Sequence, residues 1–483
     1  MAKSNSSKMT SQRWVICSLL FFATTVNYLD RQVLSLTWED FIRPEFHWTN
    51  SHYGWVTGIF SLVYALAMLF AGRIVDKLDT KRGYMWSIGI WSVGACVHAL
   101  CGVATEWVVG LPDAEALRAV VDNAALVSRI AVVSLTFFII ARCVLAVGEA
   151  GNFPAAIKAT AEYFPKKDRA YATSIFNAGS TIGALLAPFT IPVLAQKFGW
   201  EAAFIIIGAL GFVWMGFWQF LYKKPEQNPL VNAAELEYIN SDSAEEAAAA
   251  AKAAEEAKTA PKVSLWKCFS YRQTWAFISG KAIADGVWWF YLFWMPSYLK
   301  NACGMSSTSF EFQLALGVLY LIVMISLVGG YLPTIFIEKY KMNPYAGRMR
   351  AMLIFAFFPL LALLAQPLSQ YSYWFPIVIV GIAAAAHQSW SANIFSTVGD
   401  MFPKSMIATI TGIGGMAGGV GSFGIQLGAG KLFDYAEQSN MAFMGYQGIE
   451  AGYMIAFSFC AVAYLASWLA MKAFVPKYKP IEL

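Results

Sequence analysis

The sequence predicts an all-α integral membrane protein, with twelve membrane-crossing helices arranged as two pseudo-symmetric bundles of six. Three observations carry that expectation. Of the 483 residues, 58% are apolar and only 13% charged, whereas about a quarter of a soluble domain is charged. Apolar runs of roughly 20 residues, the length that spans a hydrocarbon core near 30 Å, recur along the whole chain. The basic residues are also shared unevenly among the connections between those runs.

Taken in order, the expected spans are residues 14–36, 52–72, 84–104, 128–150, 171–193, 201–222, 274–298, 312–336, 350–366, 374–398, 406–428 and 450–474. The polar, basic segment 1–13 is followed by an apolar run too long for a cleaved leader and without a small-residue cleavage site, so it reads as a first span that stays. Of the seven cysteines, Cys17, Cys96, Cys101, Cys143 and Cys460 fall in spans, Cys268 in a basic connection and only Cys303 outside. That distribution calls for no disulfide framework and no metal site.

With both termini cytoplasmic, about 25 of the Lys and Arg residues fall in inner connections and tails, about 6 in outer ones and about 4 in or near spans, the asymmetry of the positive-inside rule. The net charge of +5 therefore reports topology and gives no argument for nucleic acid. Six spans precede the polar segment 223–272 and six follow it. The expected division is thus 1–222 as an N-terminal bundle, 223–272 as a cytoplasmic linker and 273–483 as a C-terminal bundle. The linker contains a low-complexity run at 244–258 and an amphipathic stretch at 263–269 suited to the membrane surface. Residues 106–129 form a second insertion, expected to hold a short external helix. A six-plus-six layout with a central connector belongs to secondary transporters whose site lies between the halves near the midplane.

After the second span comes Gly72-Arg73-Ile74-Val75-Asp76-Lys77-Leu78-Asp79-Thr80-Lys81-Arg82. A positive-inside loop explains the bases alone; it does not require Gly72 four residues before Asp76, with Lys77 and Arg82 following. The stretch resembles the loop signature of the major facilitator superfamily, which implies that Gly72, Asp76, Lys77 and Arg82 serve conformational gating. The equivalent loop in the second half, from Gly329 to Lys339, lacks the acid.

Ionisable groups at bilayer depth cost at least about 2.5 to 3.5 kcal/mol, so each is a functional candidate. Span one holds Asn27-Tyr28-Leu29-Asp30-Arg31, span four Arg142 and Glu149, and span seven Lys281 and Asp285. The alternative for each is a pair that only holds the bundle together. Arg142 and Glu149 are seven apart, two turns along one face, which is too far for direct pairing. They are expected to line a cavity with Asn152. Arginine's planar fork recognises a carboxylate and stays charged when desolvated, while a glutamate there can take or release a proton. Arg31 is the second anion anchor; Asp30 is either a second protonation site or the partner of a buried base. Lys281 and Asp285, at i and i+4, are spaced for a structural pair.

The span-one motif, together with Arg142-Cys143-Val144-Leu145-Ala146-Val147-Gly148-Glu149-Ala150-Gly151-Asn152-Phe153-Pro154-Ala155, resembles the anion:cation symporter family within that superfamily. The stretches Asp285-Gly286-Val287-Trp288-Trp289 and His387-Gln388-Ser389-Trp390-Ser391-Ala392-Asn393 resemble its hexuronate transporter branch. The resemblance implies a bacterial inner-membrane importer of glucuronate or galacturonate with protons. It further implies that Arg31 holds the sugar-acid carboxylate, that Tyr28 and Tyr64 line the pocket, that Arg142 and Glu149 join binding to protonation, and that Asp30 is the other coupling acid.

A hydroxylated ring has apolar faces and hydroxyl edges, so its site mixes flat aromatics with amides. Trp289, Gln388, Trp390 and Asn393 are the candidates for that part, although tryptophans also form interface belts. The rival substrates are a hexonate, a dicarboxylate or an organic phosphate; the rival class is a non-transporting sensor of the same fold; and sodium could replace the proton. No enzyme activity, metal or cofactor is expected, and the working unit is expected to be a monomer.

Overall fold

The structure, a computed structural model, describes residues 8–242, 264–329 and 331–481. The low-complexity run at 244–258 and Gly330 of the degenerate second loop lie outside the described residues. Among the described residues, twelve principal helical stretches are present. They are α1 (Gln12–Thr37), α2 (Asn50–Leu78), α3 (Thr80–His98, continued at an angle by Cys101–Val109), α4 (Ala124–Tyr163), α5 (Lys166–Phe198) and α6 (Trp200–Leu221). The second half has α7 (Arg272–Asn301), α8 (Phe310–Val323, then short turns to Glu338), α9 (Pro344–Ser369), α10 (Trp374–Met401), α11 (Lys404–Gln438) and α12 (Ile449–Phe474). A two-stranded hairpin, Ala442–Phe443 with Tyr446–Gln447, joins α11 to α12.

Seven of these are long and apolar enough to cross a membrane without interruption, and the bent pair making α3 brings the number to eight among the described residues. The third expected span is therefore two segments meeting at 47°. α1, α7 and α11 are not among the seven. α1 holds Asp30 and Arg31, α7 holds Lys281 and Asp285, and α11 is rich in glycine. α8 breaks after Val323, so the eighth expected span is interrupted. The expected external helix is Ala114–Ala119, which Asp113 caps by accepting from the Ala116 N–H at 2.8 Å.

α1 packs along α5, and α3 lies against α4 and α6; in the second half α7 packs on α11 and α12, and α10 on α8 and α9. Glycine makes the closest approaches. A Cβ at Gly183 of α5 would lie 2.4 Å from the Thr25 carbonyl oxygen, and one at Gly148 would lie 2.2 Å from the Trp91 nitrogen. Large side chains there would force the helices apart, and in a bilayer close packing of this kind replaces the hydrophobic effect as the source of association.

The first and last described residues and the described residues 223–242 share one face. Glu235 accepts from the backbone of Gln12 and Arg13, and the Ile481 N–H donates to Met401 at 2.8 Å. On the opposite, far face the bundles close against each other. The Asp434 carboxylate at the end of α11 accepts from the Asn50 and Ser51 N–H groups of α2, both at 2.8 Å. Lys300 pairs with Asp40, Asn301 donates to Glu39 at 2.8 Å, and Trp38 donates to Ser297 at 2.9 Å. Gly54 and Gly430 bring α2 and α11 together: a Cβ on either would sit 2.5 to 2.6 Å from the other helix's carbonyl oxygen. Burial pushes the Glu39 and Glu45 carboxyls above the usual carboxylate range, opposed by the adjacent Arg43 and Arg118.

Candidate functional site

The fold gathers most of the expected polar residues of the first half into one buried cluster. α1 and α4 cross so that Arg31 meets Glu149: Nη2 and Nε both donate to Glu149 Oε2, at 2.6 and 3.0 Å. Both side chains are almost fully buried. A charge removed from water at this depth is tolerable only when it is paired and hydrogen-bonded.

The Arg31 guanidinium is also boxed by aromatic rings. Its Cζ lies 4.9 Å from the centroid of Tyr28, 4.8 Å from Tyr64, 4.9 Å from Trp289 and 5.7 Å from Phe60. Tyr28 is three residues before Arg31 on α1; Phe60 and Tyr64 are a turn apart on α2; Trp289 comes from α7 of the other bundle. Rings offer a cation their negative faces, each worth on the order of 0.5 to 2 kcal/mol. This box therefore holds the cation while leaving its in-plane donors to carboxylates.

Arg142 also packs on Phe60, with Cζ 5.2 Å from the ring centroid. Among the described residues, none of its three guanidinium nitrogens meets a hydrogen-bond partner, and neither oxygen of buried Asp30 meets one. Glu149 Oε1 is likewise free. Asn152, the third member of the expected polar row, accepts from the Tyr84 hydroxyl at 2.7 Å. Few native positions leave a buried arginine without partners, because an unsatisfied buried donor costs about 1 to 3 kcal/mol. The first bundle thus presents two cations and two acids with donors and acceptors to spare.

The second bundle contributes differently. Lys281 Nζ pairs with Asp285 Oδ2 at 2.6 Å along α7, and it sits 4.2 Å above the Phe395 ring. Trp288 stacks on His387 at 5.3 Å, and His387 Nδ1 bonds the Tyr464 hydroxyl at 2.9 Å. Two of the three expected α10 residues bond within the second bundle. The Trp390 indole donates to the Gly280 carbonyl at 3.2 Å and packs on Tyr464, inside the bundle. Asn393 donates to the Ser389 carbonyl of its own helix at 2.8 Å, and Gln388 is half-buried. Trp390 has spent its one donor on α7, and Asn393 has spent one of its two amide N–H groups on its own helix, an outcome that residue type does not disclose.

The signature after α2 is differently placed from its sequence rationale. A Cβ at Gly72 would meet nothing within 4 Å, so this glycine does not mark a close approach. Asp76 pairs with Lys158 of α4 at 3.0 Å, within the same bundle, while Lys77 and Arg82 are exposed. Asp79, at φ 70°, turns the chain from α2 into α3 and pairs with Lys224.

Phe60 was not singled out by the sequence, although both arginines pack on its ring. Its spacing of four from Tyr64 was the available signal: the two share a helix face. Trp91 was also missed; it approaches Asp30 from α3.

Two helical bundles closed on one face, with a buried cluster of charge and aromatic rings at their junction, define a multi-pass membrane carrier and not an enzyme. The sequence pattern of the Major Facilitator Superfamily matches residues 20–425, and the chain belongs to that superfamily. It is 26% identical over 431 residues to the hexuronate transporter of Escherichia coli (strain K12), covering 88% of this chain and 89% of that one. It is 27% identical over 341 residues to the galacturonate transporter of Dickeya chrysanthemi, covering 71% and 87%. Among solved structures, a bacterial homolog of the human lysosomal transporter Spinster superposes with a TM-score of 0.67 at 17% identity, covering 99% of this chain and all of that one.

Proposed function

We propose that the chain imports hexuronates such as glucuronate and galacturonate across a bacterial inner membrane, coupled to protons, by alternating access between bundles 1–222 and 273–483 joined by the linker 223–272. The termini are then cytoplasmic, the far face is external, and the closed far face corresponds to a state facing inward. The observation that carries the reading is the Arg31–Glu149 pair inside the aromatic box.

The pair accounts for coupling as follows. A substrate carboxylate competes with Glu149 for the donors of Arg31. Once displaced, Glu149 is an unpaired acid at a depth where an unpaired charge costs several kcal/mol, so it takes a proton. Substrate and proton therefore bind together, and release of both restores the ion pair. Arg142 has the spare donors to hold either Glu149 or the anion in the intermediate arrangement, and Asp30 beside it is the second proton site. Tyr28, Tyr64 and Trp289 give the ring flat walls. Gln388 is the α10 residue free to reach it, with Trp390 and Asn393 supporting the wall behind. Gly72, Asp76, Lys77 and Arg82 remain the proposed gating set, engaged across the bundles in the opposite state. The relatives also include proteins named as probable galactarate/D-glucarate transporters, so a dicarboxylic sugar acid is the second reading.

Uptake of radiolabelled glucuronate into proteoliposomes tests the proposal, first with an imposed proton gradient and then with the gradient collapsed by an ionophore. Accumulation that requires the gradient is expected. Gradient-independent accumulation, or none with glucuronate and uptake of galactarate instead, overturns the coupling or the substrate respectively.

A further inference from the structure

We infer that Asp285, oriented by Lys281, reads the hydroxyl groups of the substrate and so selects polyhydroxylated acids over plain organic anions; this rests on the sugar-acid reading above. The position of the side chain is the first ground. Residues four apart share a helix face, so Lys281, Asp285 and Trp289 form one stripe on α7. Trp289 fixes where that stripe looks, because its ring lies 4.9 Å from the Arg31 guanidinium across the bundle junction. Asp285 is one turn from Trp289, roughly 6 Å along the axis. That is about the distance from the carboxylate of a six-carbon acid to its middle hydroxyls.

The packing around Asp285 gives the same depth. The next helix, α11, has glycine at 418, where a Cβ would lie 2.3 Å from Asp285 Oδ2; the neighbouring Gly419 packs on Ala65 of α2, where a Cβ would lie 2.1 Å from the Ala65 Cβ. Ala65 adjoins Tyr64, which stacks on Arg31. Asp285 thus stands level with the Tyr64–Ala65 segment of α2 and one turn of α7 from Trp289, with its carboxylate in the space that Gly418 leaves by lacking a side chain.

The chemistry of the pair is the second ground. Lys281 is almost fully buried, seated over Phe395, and donates to Oδ2. Asp285 is 18% exposed. A carboxylate with one oxygen committed to a lysine and part of its surface open is an acceptor of fixed direction. Ionised acceptors bind hydroxyl donors about twice as strongly as neutral ones. A residue that serves only to neutralise Lys281 would need no open side and no glycine opposite.

The test compares binding of glucuronate and its 3-deoxy and 4-deoxy analogues to wild type, Asp285→Asn and Asp285→Ala in proteoliposomes, by competition with labelled glucuronate. In wild type, loss of the recognised hydroxyl is expected to weaken binding on the order of 10- to 100-fold. In Asp285→Ala, glucuronate is expected to fall by a similar factor, while that deoxy analogue binds no worse than it did to wild type. Asp285→Asn, which keeps shape and an acceptor, should retain part of the discrimination. An equal loss for all three ligands in both variants would mean a structural role and overturn the inference while leaving sugar-acid transport intact. A wild type that takes up a plain anion such as succinate but none of glucuronate, galactonate and galactarate would overturn both.

Discussion

Each bundle buries one ion pair beside the central aromatic cluster, and the two are built on different plans. Arg31 and Glu149 come from α1 and α4, 118 residues apart in sequence. Lys281 and Asp285 are neighbours on one turn of α7. A pair that bridges helices is sensitive to where those helices stand and to any anion that enters between them. A pair within one helix survives every rigid movement of that helix. The first is therefore fitted to be exchanged during a cycle, and the second to be a permanent part of the wall. The surroundings agree with this division: the first pair has Arg142 and Asp30 nearby with unspent hydrogen bonds, while the second has a ring under its lysine and a glycine opposite its acid.

The largest expected effect falls on the exchangeable pair. Glu149→Gln should still bind and exchange labelled for unlabelled glucuronate across a membrane, because Arg31 is left free for the carboxylate. It should lose all uphill accumulation, since no proton is taken up when substrate displaces the side chain. Concentrative uptake by this variant would remove Glu149 from coupling and reduce the pair to a structural one like its counterpart on α7.

Arg31→Lys comes next. A lysine keeps the charge but loses the planar fork that meets a carboxylate with two donors, and it changes the cation held by the four rings. Affinity measured by competition should fall on the order of 100-fold, the loss of a bidentate charged contact. The comparison supplies its own control: Lys281→Arg, which preserves an i,i+4 pair with Asp285, should change affinity much less. Equal losses would show that the two pairs are not functionally distinct.

The third prediction concerns bonds between bundles. Asp434 caps the N-terminus of α2 from α11, and two charge-assisted bonds at a helix start are worth on the order of 1 to 2 kcal/mol. Asp434→Asn should therefore raise the population open at the far face several-fold. Labelling rates of a cysteine introduced at Ser51 would report it. No change in labelling would mean that Asp434 adds nothing to the closure made by helix packing at Gly54 and Gly430 and by the Lys300–Asp40, Asn301–Glu39 and Trp38–Ser297 contacts.

How much of this was legible beforehand follows the same line between local and long-range information. The twelve-helix plan was readable because the apolar runs and basic connections are local properties of the chain. Arg31, Glu149, Arg142, Asp30 and Tyr28 stood out because polar groups are rare inside apolar spans, whereas Tyr64 was marked by the family resemblance and Trp289 by the flat faces a sugar ring needs. The sequence did not pair Arg31 with Glu149, since periodicity compares residues on one helix and this contact depends on how α1 crosses α4. Lys281 with Asp285 was readable for the converse reason. Phe60 escaped because an apolar ring in an apolar span is marked only by its spacing from Tyr64. Trp390 and Asn393 looked available because residue type shows the donors a side chain has and not the carbonyls it has already found. Gly72 was marked by its place in the loop signature, and the space around it is open.

The smallest effect is expected at a third buried acid, Glu45, which lies between α1 and α2 and has no place in the cycle. It accepts from Arg118 at 2.5 Å and from the Trp200 indole at 3.2 Å, all within the first half. Burial pushes its carboxyl above the usual range, so between the ordinary glutamate value near 4.3 and that raised value the folded protein holds a proton that the unfolded chain has lost. Stability must then fall as pH rises through that window and level off above it. Glu45→Gln removes the titrating group, so the difference in melting temperature between wild type and variant should drift by on the order of 1 to 2 °C from pH 4.5 to pH 7 in detergent, with wild type losing ground. The pH dependence of glucuronate uptake should stay the same in both, because Glu45 touches neither arginine of the site. If the uptake profile moved with Glu45→Gln, a fixed internal pair would be shaping the proton cycle. The distinction between exchangeable pairs across helices and fixed pairs beside them would then fail where it makes its simplest claim.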